Sequence, residues 1–317
     1  MKKLIYSLIL VLTGICVFGQ QQSQYTQYVF NKSNINPSYV GNSDALCIFG
    51  TARQQWIGFK DESDATVGPR DFLVNVEMPL FNIKSGIGIS VESDKLGPEN
   101  NLSVRLNYAF HQSINTNHRI SYGLGFELLN RTIDYSNLFY FDNGDPLLIS
   151  NQKEGALFMD LNFGLNYSLN DNFYVGISGK RLLGFSNDIG GVEFNNIRQF
   201  FFTSGYDFVL NSNKKQKLVL STGILAKTTF KISQIEAHAI VKYRNKYWAG
   251  LNYRLDDAIG IMAGVYINDL AIGVSYDYTI SKLSKGGSYG SPEIFLRYCY
   301  PISPRIKKKG YYNPRFL

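Results

Sequence analysis

Leu270-Ala271-Ile272-Gly273-Val274-Ser275-Tyr276-Asp277-Tyr278-Thr279-Ile280 is the stretch on which the fold turns. Large apolar side chains stand at every second position: Leu270, Ile272, Val274, Tyr276, Tyr278 and Ile280. Ala271, Gly273, Ser275, Asp277 and Thr279 fill the places between. A period of two puts these two sets on opposite faces of an extended strand. The run is long for a soluble strand, commonly about 5–6 residues. It matches the roughly 9–11 residues with which a tilted strand crosses a bilayer.

The same alternation recurs along the chain. Leu102, Val104, Leu106, Tyr108 and Phe110 alternate with Ser103, Arg105, Asn107 and Ala109. Ile120 to Leu128 and Met159 to Tyr167 repeat it. Fourteen strands are predicted, at 45–56, 71–80, 84–92, 101–111, 118–129, 156–168, 172–181, 198–210, 216–227, 232–243, 246–255, 258–267, 269–280 and 291–300. An even count suits an all-β, closed antiparallel transmembrane barrel with both chain ends in the periplasm. Asn170-Asp171, Arg244-Asn245 and Asn268-Asp269 then make tight periplasmic turns. The stretches 57–70, 93–100, 130–155, 182–197 and 281–290 become outward loops, while those near 228–231 and 256–257 are short. On this parity the apolar set faces lipid. Arg105, Glu127, Asp160, Glu236, Lys242, Asp277 and Arg297 face the lumen, where mixed charge reads as a hydrogen-bonded wall.

The start of the chain assigns the compartment. Lys2-Lys3, an apolar run from Leu4 to Phe18 and the small exit residue Gly19 describe a secretory signal peptide, with Gln20 beginning the mature chain. Cys16 follows Ile15, too bulky for the usual lipidation site. No later apolar run reaches the length of a membrane helix, which leaves a closed barrel as the spanning solution. With 22 Tyr, 22 Phe and 29 Gly and only 18% charged residues, the composition fits short strands bounded by aromatic girdles. The net charge of +7 is scattered, and an exported chain has no nucleic acid to bind. The chain thus divides into a signal peptide (1–19), an N-terminal periplasmic or plug segment (20–44), the barrel (45–300) and a basic, aromatic tail (301–317).

Catalysis and metal binding find little support. His111 and His118 flank one turn without carboxylates or cysteines at ligand spacing. His238 faces the lumen, where a hydrolase would need a serine that no spacing singles out, and no nucleophile elbow or phosphate loop is present. No enzyme activity, cofactor or metal is expected. Cys47 and Cys299 lie low on the first and last strands. They are either two unrelated small residues or a disulfide across the closing seam, provided the register meets disulfide geometry.

Several motifs in order resemble the PorP/SprF family of outer-membrane proteins associated with type IX secretion and gliding. Gln24-Tyr25-Thr26-Gln27-Tyr28-Val29-Phe30-Asn31 and Ile35-Asn36-Pro37-Ser38-Tyr39-Val40-Gly41 resemble its N-terminal signature. Arg53-Gln54-Gln55-Trp56-Ile57-Gly58-Phe59, Pro69-Arg70 and Asp94-Lys95-Leu96-Gly97-Pro98 follow. Tyr276-Asp277-Tyr278-Thr279 and Gly290-Ser291-Pro292-Glu293-Ile294 complete the set. Pro292 departs from the family's usual histidine, and the stretch from Phe59 to Pro69 is longer than usual. Read on their own, Asn36-Pro37 favours an extended or turn conformation. Trp56 suits an aromatic girdle, and Gly97-Pro98 a turn. Gln20 to Gly41 is too polar to face lipid, which places it in the periplasm or folded into the barrel mouth.

The resemblance implies an outer-membrane protein, in contact with lipid, that supports secretion or surface attachment of a cargo protein such as a large adhesin, with gliding motility among the processes served. Its expected partners are periplasmic type IX components and the secreted surface cargo. Cargo is expected on loops 130–155 and 182–197. Periplasmic machinery is expected on the tail, where Lys307, Lys308, Lys309, Tyr311, Tyr312, Arg315 and Phe316 offer charged and aromatic anchors. The alternative is a passive or substrate-specific outer-membrane pore, since about fourteen strands enclose a lumen wide enough to conduct unless something fills it.

Overall fold

A computed structural model describes residues 23–43, 45–59, 68–135, 153–170, 172–213, 216–281 and 289–302. Sixteen strands are present: β1 (Ala45–Gln54), β2 (Arg70–Leu80), β3 (Ser85–Leu96), β4 (Glu99–Ser113), β5 (His118–Asp134), β6 (Lys153–Leu169), β7 (Phe173–Lys180), β8 (Ser186–Ile189), β9 (Val192–Asn195), β10 (Gln199–Asn211), β11 (Leu218–Thr228), β12 (Ser233–Tyr243), β13 (Tyr247–Arg254), β14 (Ala258–Ile267), β15 (Leu270–Thr279) and β16 (Ser291–Pro301). Fourteen of them form a closed antiparallel barrel in chain order, from which β8 and β9 stand apart as a hairpin. β1 closes against β16 from Ala45↔Pro301 to Arg53↔Glu293. Closure gives each of the fourteen barrel strands two neighbours, so the barrel presents no open edge to lipid.

The side-chain parity follows from the solvent on each face. Leu124, Leu251, Ile261, Val274 and Tyr278 are exposed on the outer surface, the lipid-facing side of a membrane barrel. Their strand neighbours Arg105, Glu127, Asp160, Glu236 and Asp277 are buried inside. All fourteen expected spans have a counterpart in the barrel, and the differences lie at the outer ends. The expected outward loop 93–100 is a tight turn, because β3 and β4 keep pairing up to Leu96↔Glu99. Gly97 sits there at φ +54°, where a glycine meets no Cβ penalty. The expected loop 130–155 is shorter too, because β5 and β6 stay paired to Asp134↔Lys153. Within the expected loop 182–197, β8 and β9 pair around Gly190-Gly191, both with positive φ. The hairpin's Ile189 packs with Leu129, Ile133 and Phe158 on the inner face of the raised β5–β6 wall.

The seam carries a covalent link. Cys47 and Cys299 are direct register partners with Cα atoms 4.1 Å apart, and their sulfurs form a disulfide. It joins positions 252 residues apart, so it restricts the unfolded chain strongly. Replacing both cysteines by serine is expected to leave the barrel assembled but to lower its stability by about 2–4 kcal/mol. The temperature at which the folded band converts on a semi-native gel checks this; an unchanged midpoint would show that the seam's hydrogen bonds suffice alone.

Candidate functional site

The lumen is occupied by the protein's own N-terminal segment. Residues 23–43 pass through it as three short 3-10 turns, Tyr28–Phe30, Lys32–Asn34 and Pro37–Tyr39. Local chemistry explains the last of these. Asn36 is extended (φ −135°, ψ 113°), as a residue preceding proline prefers. Its Oδ1 accepts from the Ser38 N–H at 2.9 Å, capping the turn that Pro37 begins. Ser23 to Gln27 lie among the outer ends of the strands, and Val40 and Gly41 lie against Gly86 near the inner rim. The segment therefore spans most of the lumen's height.

Its outer half is anchored by a buried ion network. Arg53 on β1 sends Nη2 to Asp277 Oδ2 on β15 at 2.8 Å and Nη1 to Glu293 Oε2 on β16 at 3.0 Å. The same Nη1 donates to Thr26 Oγ1 at 2.9 Å, and that hydroxyl donates to Asp277 Oδ2 at 2.6 Å. The backbone N–H groups of Thr26 and Gln27 donate to the two Glu293 oxygens at 2.8 and 3.1 Å. Arg254 on β13 adds a contact to Asp277 at 3.3 Å and pairs with Glu236 at 3.2 Å. Arg53 is 5% exposed, and Asp277, Glu293 and Arg254 less. Charges buried this deeply must be paired and hydrogen-bonded. Here part of the pairing capacity is spent on the segment's backbone, which ties its position to the strands at the seam.

A second network holds the opposite side. Tyr25 donates to Glu92 Oε1 at 3.0 Å, Arg105 pairs with Glu92 at 2.7 Å, and Arg105 also donates to Asn34 Oδ1. Burial, reinforced by the Glu92 charge, pushes the Tyr25 phenol well above its ordinary range, so it stays a donor. Glu127 accepts from Ser103 at 2.9 Å and lies 3.7 Å from Arg181.

The inner half rests in a cradle. Asn36 Nδ2 donates to the carbonyls of Leu165 and Ile177 at 3.1 and 3.2 Å, and His111 Nε2 meets the Val40 carbonyl at 2.9 Å. The turn comes so close to the wall that a Cβ at Gly164 would stand 1.9 Å from Asn36 Oδ1, and one at Gly123 2.2 Å from the Ser38 nitrogen. Only glycine permits that approach. Between the two halves Phe30 stacks on Phe295 at 4.8 Å and packs tilted against Trp248 at 4.5 Å, and Tyr28 bonds His238 Nδ1 at 2.9 Å. Overpacking costs about 1–3 kcal/mol, so Gly123→Leu is expected to raise the thiol-labelling rate of a Ser33→Cys reporter by about tenfold or more. A rate equal to that of the unsubstituted cradle would mean the turn is not seated there.

The motif residues separate into two groups. Gln27, Tyr28, Phe30, Asn31, Asn36, Pro37 and Gly41 belong to the plug, and Asp277 and Glu293 to its anchor. Gln55 bonds Asp71 at 3.1 Å on the outer rim, with Trp56, Gly58, Phe59, Asp94, Gly97 and Pro98 at the same end of the barrel. Tyr276 and Tyr278 are exposed on the outer surface, which leaves Asp277 as the inward member of that motif. Thr26, Arg53, Glu92, Arg254, Gly123 and Gly164 hold the segment without standing among the candidate site residues. Of these, Thr26 and Arg53 lay inside quoted motifs, and lumen parity was the available signal for the rest. His118 bonds Tyr167 at 2.6 Å and His111 touches the plug. Among the described residues no three His, Cys, Asp or Glu are grouped to hold a metal ion. The signal peptide (1–19) and Lys307, Lys308, Lys309, Tyr311, Tyr312, Arg315 and Phe316 lie outside the described residues.

Comparison with solved structures finds barrels of the same kind. The chain is similar to the CymD monoaromatic hydrocarbon channel, with TM-score 0.53 and 9% identity over 92% of this chain and 96% of that one. A Pseudomonas aeruginosa FadL homologue gives TM-score 0.47 at 10% identity, covering 82% of this chain and 90% of that one. The Acinetobacter baumannii outer membrane protein Omp33 gives 0.46 at 6% identity, covering 81% and 99%. No curated protein sequence matches. The family model described as "Type IX secretion system membrane protein PorP/SprF" matches residues 17–298, nearly the whole barrel with its plug. The chain is therefore an outer-membrane β-barrel belonging to the PorP/SprF family of type IX secretion system membrane proteins.

Proposed function

We propose that this barrel is a non-enzymatic adaptor of type IX secretion, which supports the secretion or surface attachment of a cargo protein such as a large adhesin, with gliding motility among its uses. The observation that carries this reading is the filled lumen. Among the described residues, a segment tied to the wall by Arg53, Asp277 and Glu293 occupies the lumen, which leaves the work to the two ends of the barrel. At the outer end the raised β4–β6 wall and the β8–β9 hairpin offer a shaped face for cargo. At the inner end, where β16 finishes at Pro301, the proposed contact with periplasmic machinery falls to the tail residues Lys307 to Phe316.

An affinity pull-down from detergent-solubilised outer membranes tests it, comparing the full chain with a truncation after Tyr300. Type IX components or a large surface protein are expected to co-purify with the full chain, and the periplasmic ones to be lost with the tail. A barrel that folds and elutes alone in both forms would overturn the adaptor reading.

A further inference from the structure

The plug does not fill the lumen evenly. A cavity of about 70 Å³, open at its mouth, lies between the segment and the inner faces of β7, β10, β11 and β12, with Phe49 of β1 and Leu73 of β2 also on its wall. The register places its wall residues side by side: Lys180 opposite Gln199, Phe201 opposite Lys227, and Lys227 opposite Gln234. Lys180 is only 3% exposed, with its ammonium 5.6 Å from the Phe201 ring centroid, and Lys227 is half-buried at the rim. Among the described residues neither lysine forms an ion pair. The nearby acids are already engaged: Glu236 by Arg254 and Asn252, Asp257 by Arg254, Glu92 by Arg105 and Tyr25, and Glu127 by Ser103 and Asn162. The remaining lining includes apolar Ile35, Leu225 and Ile232.

A buried ammonium without a counter-charge is costly, and an anion within reach relieves that cost. Here one buried cation and one half-buried cation share a wall with an aromatic ring, and Ile35, Phe49, Leu73, Leu225 and Ile232 supply apolar surface among polar side chains that include the already paired Glu236. We propose that this cavity binds a small organic anion, a monocarboxylate with a compact apolar body. Its carboxylate lies between Lys180 and Lys227, and its body lies against Phe201 and the plug. A large part of the cavity's boundary is the segment from Ser23 to Ile35. Occupancy therefore stabilises the seated plug, because a ligand that binds one state favours that state. The inference does not depend on the identity of cargo or partner.

Calorimetric titration of the full-length barrel in a nonionic detergent tests it, with octanoate as probe and 1-octanol as its neutral match. Octanoate is expected to bind saturably at one site. Octanol is expected to bind about tenfold more weakly or worse, the scale of one charge-assisted hydrogen bond. The double variant Lys180→Met with Lys227→Met is expected to erase the difference, and Lys180→Arg with Lys227→Arg to keep it. Should the methionine pair fail to assemble, Lys227→Gln at the rim is read instead. It is expected to weaken octanoate about threefold or more and leave octanol unchanged. Equal binding of the two probes, no saturable octanoate site, or unchanged octanoate affinity in the lysine variants would overturn the proposal.

Discussion

Excising residues 23–41 is expected to turn a poorly conducting barrel into an open pore. The fourteen strands stay closed, because their ladder from β1 to β16 makes no use of the segment. What disappears is the material inside: three turns, the Phe30 stack and the donors that face Glu293 and Asp277. Barrels of this size hold a lumen wide enough for water when nothing fills it. The freed charges of Arg53, Arg254, Asp277 and Glu293 then line a solvated channel, so their desolvation penalty falls away. Planar-bilayer recordings should show conductance rising by about an order of magnitude or more over the intact protein. Equal conductance in both forms would mean that the lumen is open around the plug, or that something else closes it.

Arg53→Met is expected to be the most damaging single substitution in the anchor. The arginine makes contacts at 2.8 and 3.0 Å to two acids and one at 2.9 Å to Thr26. Its removal leaves Glu293 without a cation in the described network and Asp277 with Arg254 alone. Stranding a buried partner in this way costs about 3–5 kcal/mol. Denaturant unfolding of the variant should show a loss on that scale. The triple variant Arg53→Met, Asp277→Asn, Glu293→Gln removes the stranded charges together and should regain a large part of it. Single losses that simply add in the triple variant would show that the groups act independently and form no network.

The two halves of the fold differed in how far they could be read. Strand parity was legible because lipid on one face and a polar interior on the other force a period of two, as Leu270 to Thr279 shows. The outer ends were harder to read. Asn100, Asn101 and Ser93 look like loop residues, yet β3 and β4 pair through them because ladder bonds need only backbone. The β8–β9 hairpin was missed since Ser186–Ile189 and Val192–Asn195 are too short and polar to alternate, although Gly190-Gly191 is a two-residue hairpin signal.

The candidate site was legible as motifs and illegible as a site. Thr26, Arg53, Asp277 and Glu293 are separated by up to 267 positions, and only barrel closure makes β1, β15 and β16 neighbours. Nothing in one sequence gives the height at which the N-terminal segment sits. That height is set by Gly123 and Gly164, whose missing side chains leave room for Asn36 and Ser38. The cysteine pair was open for the same reason. Cys47 and Cys299 needed a register accurate to one residue before a bond between them could be read.

Amide hydrogen exchange of the folded, full-length barrel, followed peptide by peptide, tests most directly whether the segment is a seated plug. Inside the lumen, the N–H groups of Thr26, Gln27, Phe30 and Ser38 all have protein acceptors. Residues 26–40 are therefore expected to exchange as slowly as the strands β1, β15 and β16 that hold them. Exchange of that segment at the rate of a free peptide, with the strands still protected, would contradict the anchored plug and with it the reading of a barrel that works by its ends.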